Sequence, residues 1–194
     1  MARKVKDRFR DWNLLHKSVV MVIIAFFLSV TVWSIWVFDA AFELEQEVVI
    51  DHGTEAIWPW VFDPKKRTDW QGELVDVVPY VGAPDKAEST RLLFWKRGYK
   101  RWQSVERTKD VVPERLYATV YESDNDIRWL RVELIPEGPC RTRVRLNEII
   151  GPKFYKDRFW FFTSNREAEK RLQISGAALQ RWVGDTSGAC AAAQ

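Results

Sequence analysis

The chain has 194 residues, of which 46% are hydrophobic and 14% aromatic, including 11 tryptophans. This composition excludes a wholly disordered protein, which would lack the aromatic and branched residues that close a core. Two cysteines and two histidines are too few for a disulfide framework or a histidine-based metal cage. The formal net charge is +3, and residues 1–17 carry six cations against two anions. The basic character therefore belongs to the N-terminal tail and does not indicate a nucleic-acid partner.

Residues 18–38 form an apolar segment of 21 residues without a charge. A helix of this length spans about 31 Å, which matches the ~30 Å hydrocarbon core of a bilayer. Trp33 and Trp36 lie near its end, where aromatic rings prefer the headgroup layer. The alternative is a cleaved signal peptide, but the segment exceeds the ~7–15 residues of a signal core and ends in Trp, Val and Phe. We expect a retained transmembrane helix over residues 18–38.

The charges on either side of this segment predict its orientation. Residues 1–17 are basic, whereas Asp39, Glu43, Glu45 and Glu47 follow the segment. The positive-inside rule places the N-terminus in the cytoplasm of a plasma (inner) membrane and the rest outside, in the periplasm of a Gram-negative cell. We expect a linker over residues 39–46, which reaches at most about 28 Å.

Beyond the linker, short alternating segments separated by turn residues predict an antiparallel sheet. The predicted strands are 47–51, 73–81, 88–96, 100–109, 115–122, 128–135 and 141–150. A short helix over 54–62, capped by Thr54 and disturbed by Pro59, follows the first strand. In the last strand, arginines alternate with Thr142, Val144 and Leu146, so one face is wet and the other covered.

The last predicted element is a helix of about 19 residues. Ser164 and Glu167 form a capping box at its start, and Gly184 is placed for a left-handed residue at its end. Its apolar stripe, which we expect to cover the sheet, consists of Ala168, Leu172, Ser175, Gly176, Leu179 and Val183. We assign residues 47–184 to one domain and expect residues 185–194 to be a flexible tail.

The order of these elements resembles the START-like (helix-grip, SRPBCC) superfamily over about residues 43–183. The residues that carry the resemblance are Val49, Ile50, Ile57, Trp58, Asp63 and Trp70, followed by the arginine-alternating strand and the long helix. The resemblance implies an α+β fold in which a curved seven-stranded antiparallel sheet and two short helices surround a long C-terminal helix. It also implies a cavity for a hydrophobic ligand. Pro59 and an aromatic insert before the last helix depart from the pattern.

We expect that cavity to be lined by apolar side chains of the sheet and helices. The candidates are Trp58, Phe62, Trp70, Leu92, Phe94, Leu130, Val132, Val144, Leu146, Phe159 and Phe162. Residues 154–162 contain six aromatics in nine residues, more than one sheet face can hide. They either fill the cavity or face the membrane or a partner.

A second candidate surface is the segment 95–102, in which four cations and three aromatics surround Gly98. One interpretation is a charged turn that protects a sheet edge. The other is docking to anionic headgroups or to an acidic protein. The docking candidates, with the two tryptophans of the apolar segment, are Trp33, Trp36, Trp95, Lys96, Arg97, Tyr99, Lys100, Arg101 and Trp102.

The sequence offers little for catalysis. His16 and His52 have no suggestive neighbours, and neither Cys140 nor Cys190 is placed like an activated thiol. We predict no catalytic residue, no metal site and no cofactor. Two functions remain for a domain on the bilayer: binding a lipid or isoprenoid quinone, or serving as an accessory, possibly bioenergetic, subunit whose own aromatics fill the cavity. An enzyme such as a cyclase ranks third.

Overall fold

The structure is a computed structural model that describes residues 2–38, 41–83, 86–154 and 165–185. Of residues 2–15 and 35–38 only the backbone is described. The chain divides into two compact units, residues 1–40 and residues 41–194.

The first unit is a single helix, α1, over Ala2–Phe38. Its segment His16–Ser34 has a mean hydropathy of 2.0 and is long and apolar enough to cross a membrane. The hydroxyls of Ser29, Thr31 and Ser34 donate to backbone carbonyls three or four residues earlier, at 2.7–2.8 Å. Polar groups inside the segment are therefore satisfied by their own helix, as insertion into lipid requires.

The second unit is a seven-stranded antiparallel sheet with three helices among its described residues. Its elements are β1 Phe42–Ile50, α2 Thr54–Phe62, α3 Pro64–Trp70, β2 Leu74–Val81, β3 Thr90–Arg97, β4 Lys100–Val112, β5 Leu116–Glu122, β6 Asp126–Gly138, β7 Arg141–Pro152 and α4 Asn165–Asp185. The strand order is β1-β7-β6-β5-β4-β3-β2. This confirms the predicted α+β helix-grip fold.

The first strand begins at Phe42, so most of the predicted linker belongs to the sheet. Along β1, Glu45 and Glu47 point to the outer face and form ion pairs with Arg145 of β7. Arg143 likewise pairs with Glu47 at 3.5 Å. These acids therefore complement the arginine face of β7.

The covered face of the sheet packs on α4. Val144, Leu146 and Leu179 are completely buried, which confirms the predicted inner face and helical stripe. Gly176 allows the helix to approach β1, because a Cβ there would lie 3.2 Å from side-chain carbons of Gln46 and Val48. Gly184 lies inside the helix without a left-handed backbone, so its predicted role as a terminator is wrong. Ser164, the predicted cap, is outside the described residues.

Two short helices cover one end of the sheet. The N-cap of α2 is Gly53 rather than Thr54, and a Cβ at Gly53 would lie 3.1 Å from the Pro139 carbonyl oxygen. Asp63 ends α2 and starts α3, where its carboxylate accepts from the Lys65 amide at 3.0 Å. This tight connection places the side chains of α3 over the inner face of β3, β4 and β5.

Candidate functional site

The centre of the inner face holds a buried ion triad. Arg67 of α3, Glu106 of β4 and Arg91 of β3 are 0–1% exposed. The Arg67 Nη1 atom lies 2.9 and 2.8 Å from the two Glu106 carboxylate oxygens, and Arg91 Nη1 lies 3.2 Å from Oε2. One carboxylate thus serves two guanidiniums, and the triad has a formal charge of +1.

Two tyrosines of β5 complete this network. Arg67 Nη2 donates to the Tyr121 hydroxyl at 3.0 Å, and Arg91 Nη1 donates to the Tyr117 hydroxyl. Both guanidiniums also lie within 6.0 Å of the tyrosine ring centroids, a cation–π distance. Gln71 accepts a longer bond from Arg67 at 3.4 Å. We call Arg67, Arg91, Glu106, Tyr117 and Tyr121 the interior network.

Burial and the neighbouring groups shift the pKa of three members of the interior network. Burial has the largest single effect on Arg67 and acts to lower its pKa, but Glu106, Tyr121 and Tyr117 together outweigh it and the net shift is upward. Burial raises the pKa of Tyr121, and of Tyr117, above the usual value for tyrosine. The network joins α3 to β3, β4 and β5 through the Glu106 carboxylate and the two phenols.

Little space remains beside the interior network. A cavity of about 30 Å³, room for one or two waters, lies between Trp70, Trp95, Tyr121, Leu130 and Leu172. The larger depressions beside the start of α4, of about 130 and 290 Å³, are lined by charged side chains such as Arg97, Glu167 and Arg171. Among the described residues, the space beside Trp70, Trp95 and Tyr121 is about 30 Å³.

Most predicted cavity residues do lie on the inner side. Trp58, Trp70, Leu130, Val132, Val144 and Leu146 are buried, and Phe62 is half-buried against Trp58, with ring centroids 5.5 Å apart. Phe159 and Phe162, with most of the aromatic segment 154–162, are outside the described residues.

The predicted positions of Leu92 and Phe94 inside the cavity are wrong, because both side chains lie half-buried on the outer face of the sheet. Their strand neighbours Arg91, Leu93 and Trp95 point inward instead. The strand was predicted correctly, but its register was inverted. A shift of one residue in strand register moves every side chain to the other face of the sheet. Because all residues of Leu92–Trp95 are apolar, their sequence does not indicate which of them face inward.

The docking candidates of the segment 95–102 divide into two groups. The prediction that Trp95 is a docking residue is wrong, because its side chain is buried and its indole N–H donates to the Ser104 hydroxyl at 2.7 Å. Trp102 is half-buried and stacks on Trp95 at 6.3 Å, while Arg97 is held by Glu73 and Glu167. The remaining candidates, Lys96, Tyr99, Lys100 and Arg101, are exposed around the hairpin turn at Gly98, whose φ is 59°. Trp33 of α1 is exposed, and the side chain of Trp36 is not described.

Sequence analysis missed all five members of the interior network. Glu106 alternates with Ser104 and Thr108, and three polar residues at a spacing of two are typical of a wet face. The only available signal was the excess of polar residues on both faces of β4. Among the described residues, no group of three His, Cys, Asp or Glu side chains could hold a metal ion.

The comparisons with known proteins identify the architecture. No family model and no curated protein matches the chain. A START superfamily protein from Mycobacterium smegmatis superposes with a TM-score of 0.61 at 16% identity, covering 75% of this chain and 99% of its own. A protein from Thermus thermophilus has a TM-score of 0.58 at 17% identity, with 75% and 100% covered.

The chain has a START-like fold. A third solved structure, the Zhui aromatase/cyclase from a Streptomyces species, agrees with a TM-score of 0.55 at 11% identity, covering 73% of this chain and 96% of its own. Nearly the whole of each neighbour is covered, so the START-like domain here corresponds to complete proteins elsewhere. At these identities the likeness concerns the fold.

Proposed function

We propose that the protein is a membrane-anchored START-like domain that binds a protein partner, as an accessory subunit of a larger membrane assembly. The observation that carries this proposal is the interior network, which sets charged and phenolic side chains on the inner face of β3, β4 and β5. The domain has the sheet and helices of a START-like fold, while its described interior contains buried ion pairs that link α3 to the sheet.

Ligand pockets for small molecules measure about 300–1,000 Å³ and are mostly apolar. The cavity here is about 30 Å³, and its lining includes Gln71 and Tyr121, both of which are bonded to the buried Arg67. An apolar ligand would have to displace Tyr121 or Trp95 and would leave guanidiniums facing hydrocarbon, at a cost that apolar contact does not recover.

Two observations support anchoring with the domain outside the cytoplasm. Helix α1 is long and apolar enough to span a bilayer, and its cationic flank is N-terminal. Cys140 is disulfide-bonded. Stable disulfides are typical of oxidising compartments such as the periplasm.

A second candidate function is the binding of a lipid or isoprenoid quinone. The START-like fold supports it, since one structural neighbour is an aromatase/cyclase. The aromatic segment 154–162 would have to supply the pocket, together with the charged depressions beside α4. A catalytic role is less well supported, since the buried tyrosines stay protonated.

Native mass spectrometry of the full chain, extracted from its own membranes in mild detergent, tests the proposal. We expect co-purifying protein subunits in a defined stoichiometry and no adduct of small-molecule mass. A lipid or quinone adduct on the isolated chain would overturn the proposal in favour of the second candidate. As a matched control, Leu130→Trp should fill the remaining cavity: it would remove a ligand adduct but leave subunit binding intact.

A further inference from the structure

The β3–β4 hairpin ends in a cluster of cations without counter-ions. Lys96, Lys100 and Arg101 form no ion pair with any residue that the structure describes, and Tyr99 at the apex is fully exposed. Arg97 differs, since Glu73 and Glu167 neutralise it. We call Lys96, Tyr99, Lys100 and Arg101 the hairpin end.

The hairpin end continues into a partly apolar surface on the outer face of the sheet. Lys96 and Arg101 are register partners, and the next outward residue of β3 is Phe94, which lies between Gln103 and Asp76. Beyond it, Leu92 lies opposite Val105. Val78 of β2 lies beside Leu92, and both Val78 and Val105 are more than 40% exposed. Positive charge and accessible apolar surface therefore adjoin along one side of the domain.

We propose that the hairpin end docks the START-like domain onto an anionic phospholipid surface. Uncompensated lysines and arginines are attracted by such a surface, and an exposed tyrosine is suited to the headgroup layer. This proposal rests on the proposed function only in that the domain is held at a membrane.

An acidic protein is a less suitable occupant of the same surface. Protein interfaces are depleted in lysine and bury about 800 Å² on each partner. Two of the three cations are lysines, and a two-residue hairpin turn, Gly98 and Tyr99, presents a narrow end. A lipid surface needs neither a fixed partner geometry nor a large contact area.

Hydrogen exchange of the full chain in lipid nanodiscs tests this docking. Discs of phosphatidylcholine alone are compared with discs that contain phosphatidylglycerol, and deuterium uptake is followed in peptides covering residues 95–102. The test variant is Lys96→Gln/Lys100→Gln/Arg101→Gln. The matched control is Arg107→Gln/Lys109→Gln/Arg115→Gln, which removes the same charge from β4 and from the turn before β5. Arg107 and Lys109 are paired with Glu88.

We expect phosphatidylglycerol to slow exchange at the hairpin end in the wild type and in the control, and 0.5 M salt to abolish the effect. Losing three cations should weaken docking by about a hundredfold, so the test variant should exchange equally on both discs. Equal wild-type exchange on both discs would overturn the proposal, as would an equal loss of the response in the control. Protection that requires a co-purified protein, whatever the lipid, would assign the surface to an acidic partner. Subunit co-purification is measured separately, so failure here leaves the proposed function standing.

Discussion

At the scale of single residues, Glu106 is a fully buried carboxylate that needs both of its ion-pair partners, Arg67 and Arg91. It is completely buried between two guanidiniums, and each of its neighbours depends on its charge. A buried triad of this kind is not by itself a source of high stability, because desolvation offsets the attraction. Removing its central charge is nevertheless costly, since two buried cations are then left facing each other.

We therefore expect Glu106→Gln to lower the free energy of unfolding by about 3–5 kcal/mol. Glu122→Gln is the matched control, because Glu122 pairs with Lys153 at the surface, where a pair is worth about 0–1 kcal/mol. Urea unfolding followed by tryptophan fluorescence measures both. Similar losses for the two variants would show that the interior network is solvated.

Tyr121 gives the network a dependence on alkaline pH. Its pKa is raised by burial, so the folded state keeps a proton that the unfolded chain releases near pH 10. Stability from this group is complete below about pH 10 and falls as the pH rises beyond it. Tyr121→Phe should make the decline of stability above pH 10 less steep, as measured by unfolding at a series of pH values. An unchanged slope would contradict the burial of this hydroxyl.

At the scale of elements, the two faces of β7 have separate roles. Its outer arginines form ion pairs with β1, while Thr142, Val144, Leu146, Glu148 and Ile150 point inward. The inner apolar members meet α4, whose Gly176 contacts the β1 side. The contact between α4 and the sheet therefore depends on close packing at β1 and β7. On the side of β3, β4 and β5, the buried ion pairs of Glu106 with Arg67 and Arg91 hold the inner face together.

Leu146→Ala should cost about 2–5 kcal/mol, because Leu146 is fully buried and its truncation leaves a cavity under α4. Arg131→Ala on the outer face of the adjacent strand should change stability by less than about 0.5 kcal/mol. Thermal unfolding followed by near-ultraviolet circular dichroism compares the two. Equal losses would mean that α4 does not cover this face.

At the scale of the whole molecule, anchoring and orientation decide which compartment the START-like domain meets. We predict that residues after Phe38 are extracytoplasmic, because the cations precede α1 and Cys140 is oxidised. Ser187→Cys, in a background with Cys140→Ser and Cys190→Ser, should react with an impermeant thiol reagent in intact cells. Reaction only after lysis would reverse the orientation.

The elements of this fold were predictable because their signals are local. Period-two alternation identified the strands, and the stripe from Ala168 to Val183 identified α4, since each depends only on the spacing of apolar residues. The start of β1 was misplaced because Glu43 and Glu45 resemble a polar linker until Asn147 and Arg145 of β7 are placed beside them. Cross-strand charge pairing is not visible in a single segment.

The sequence by itself determined the apolar helix α1, the antiparallel sheet and the covering helix, because periodicity and turn residues act over a few neighbours. Only the tertiary structure decided what occupies the inside. Arg67, Arg91 and Glu106 are separated by up to 39 residues, and each alone is typical of a wet surface. Alternation shows that the two faces of a strand differ but not which one is buried. Strand register and the placement of α3 therefore decided that Arg91 and Glu106 face inward, against Arg67.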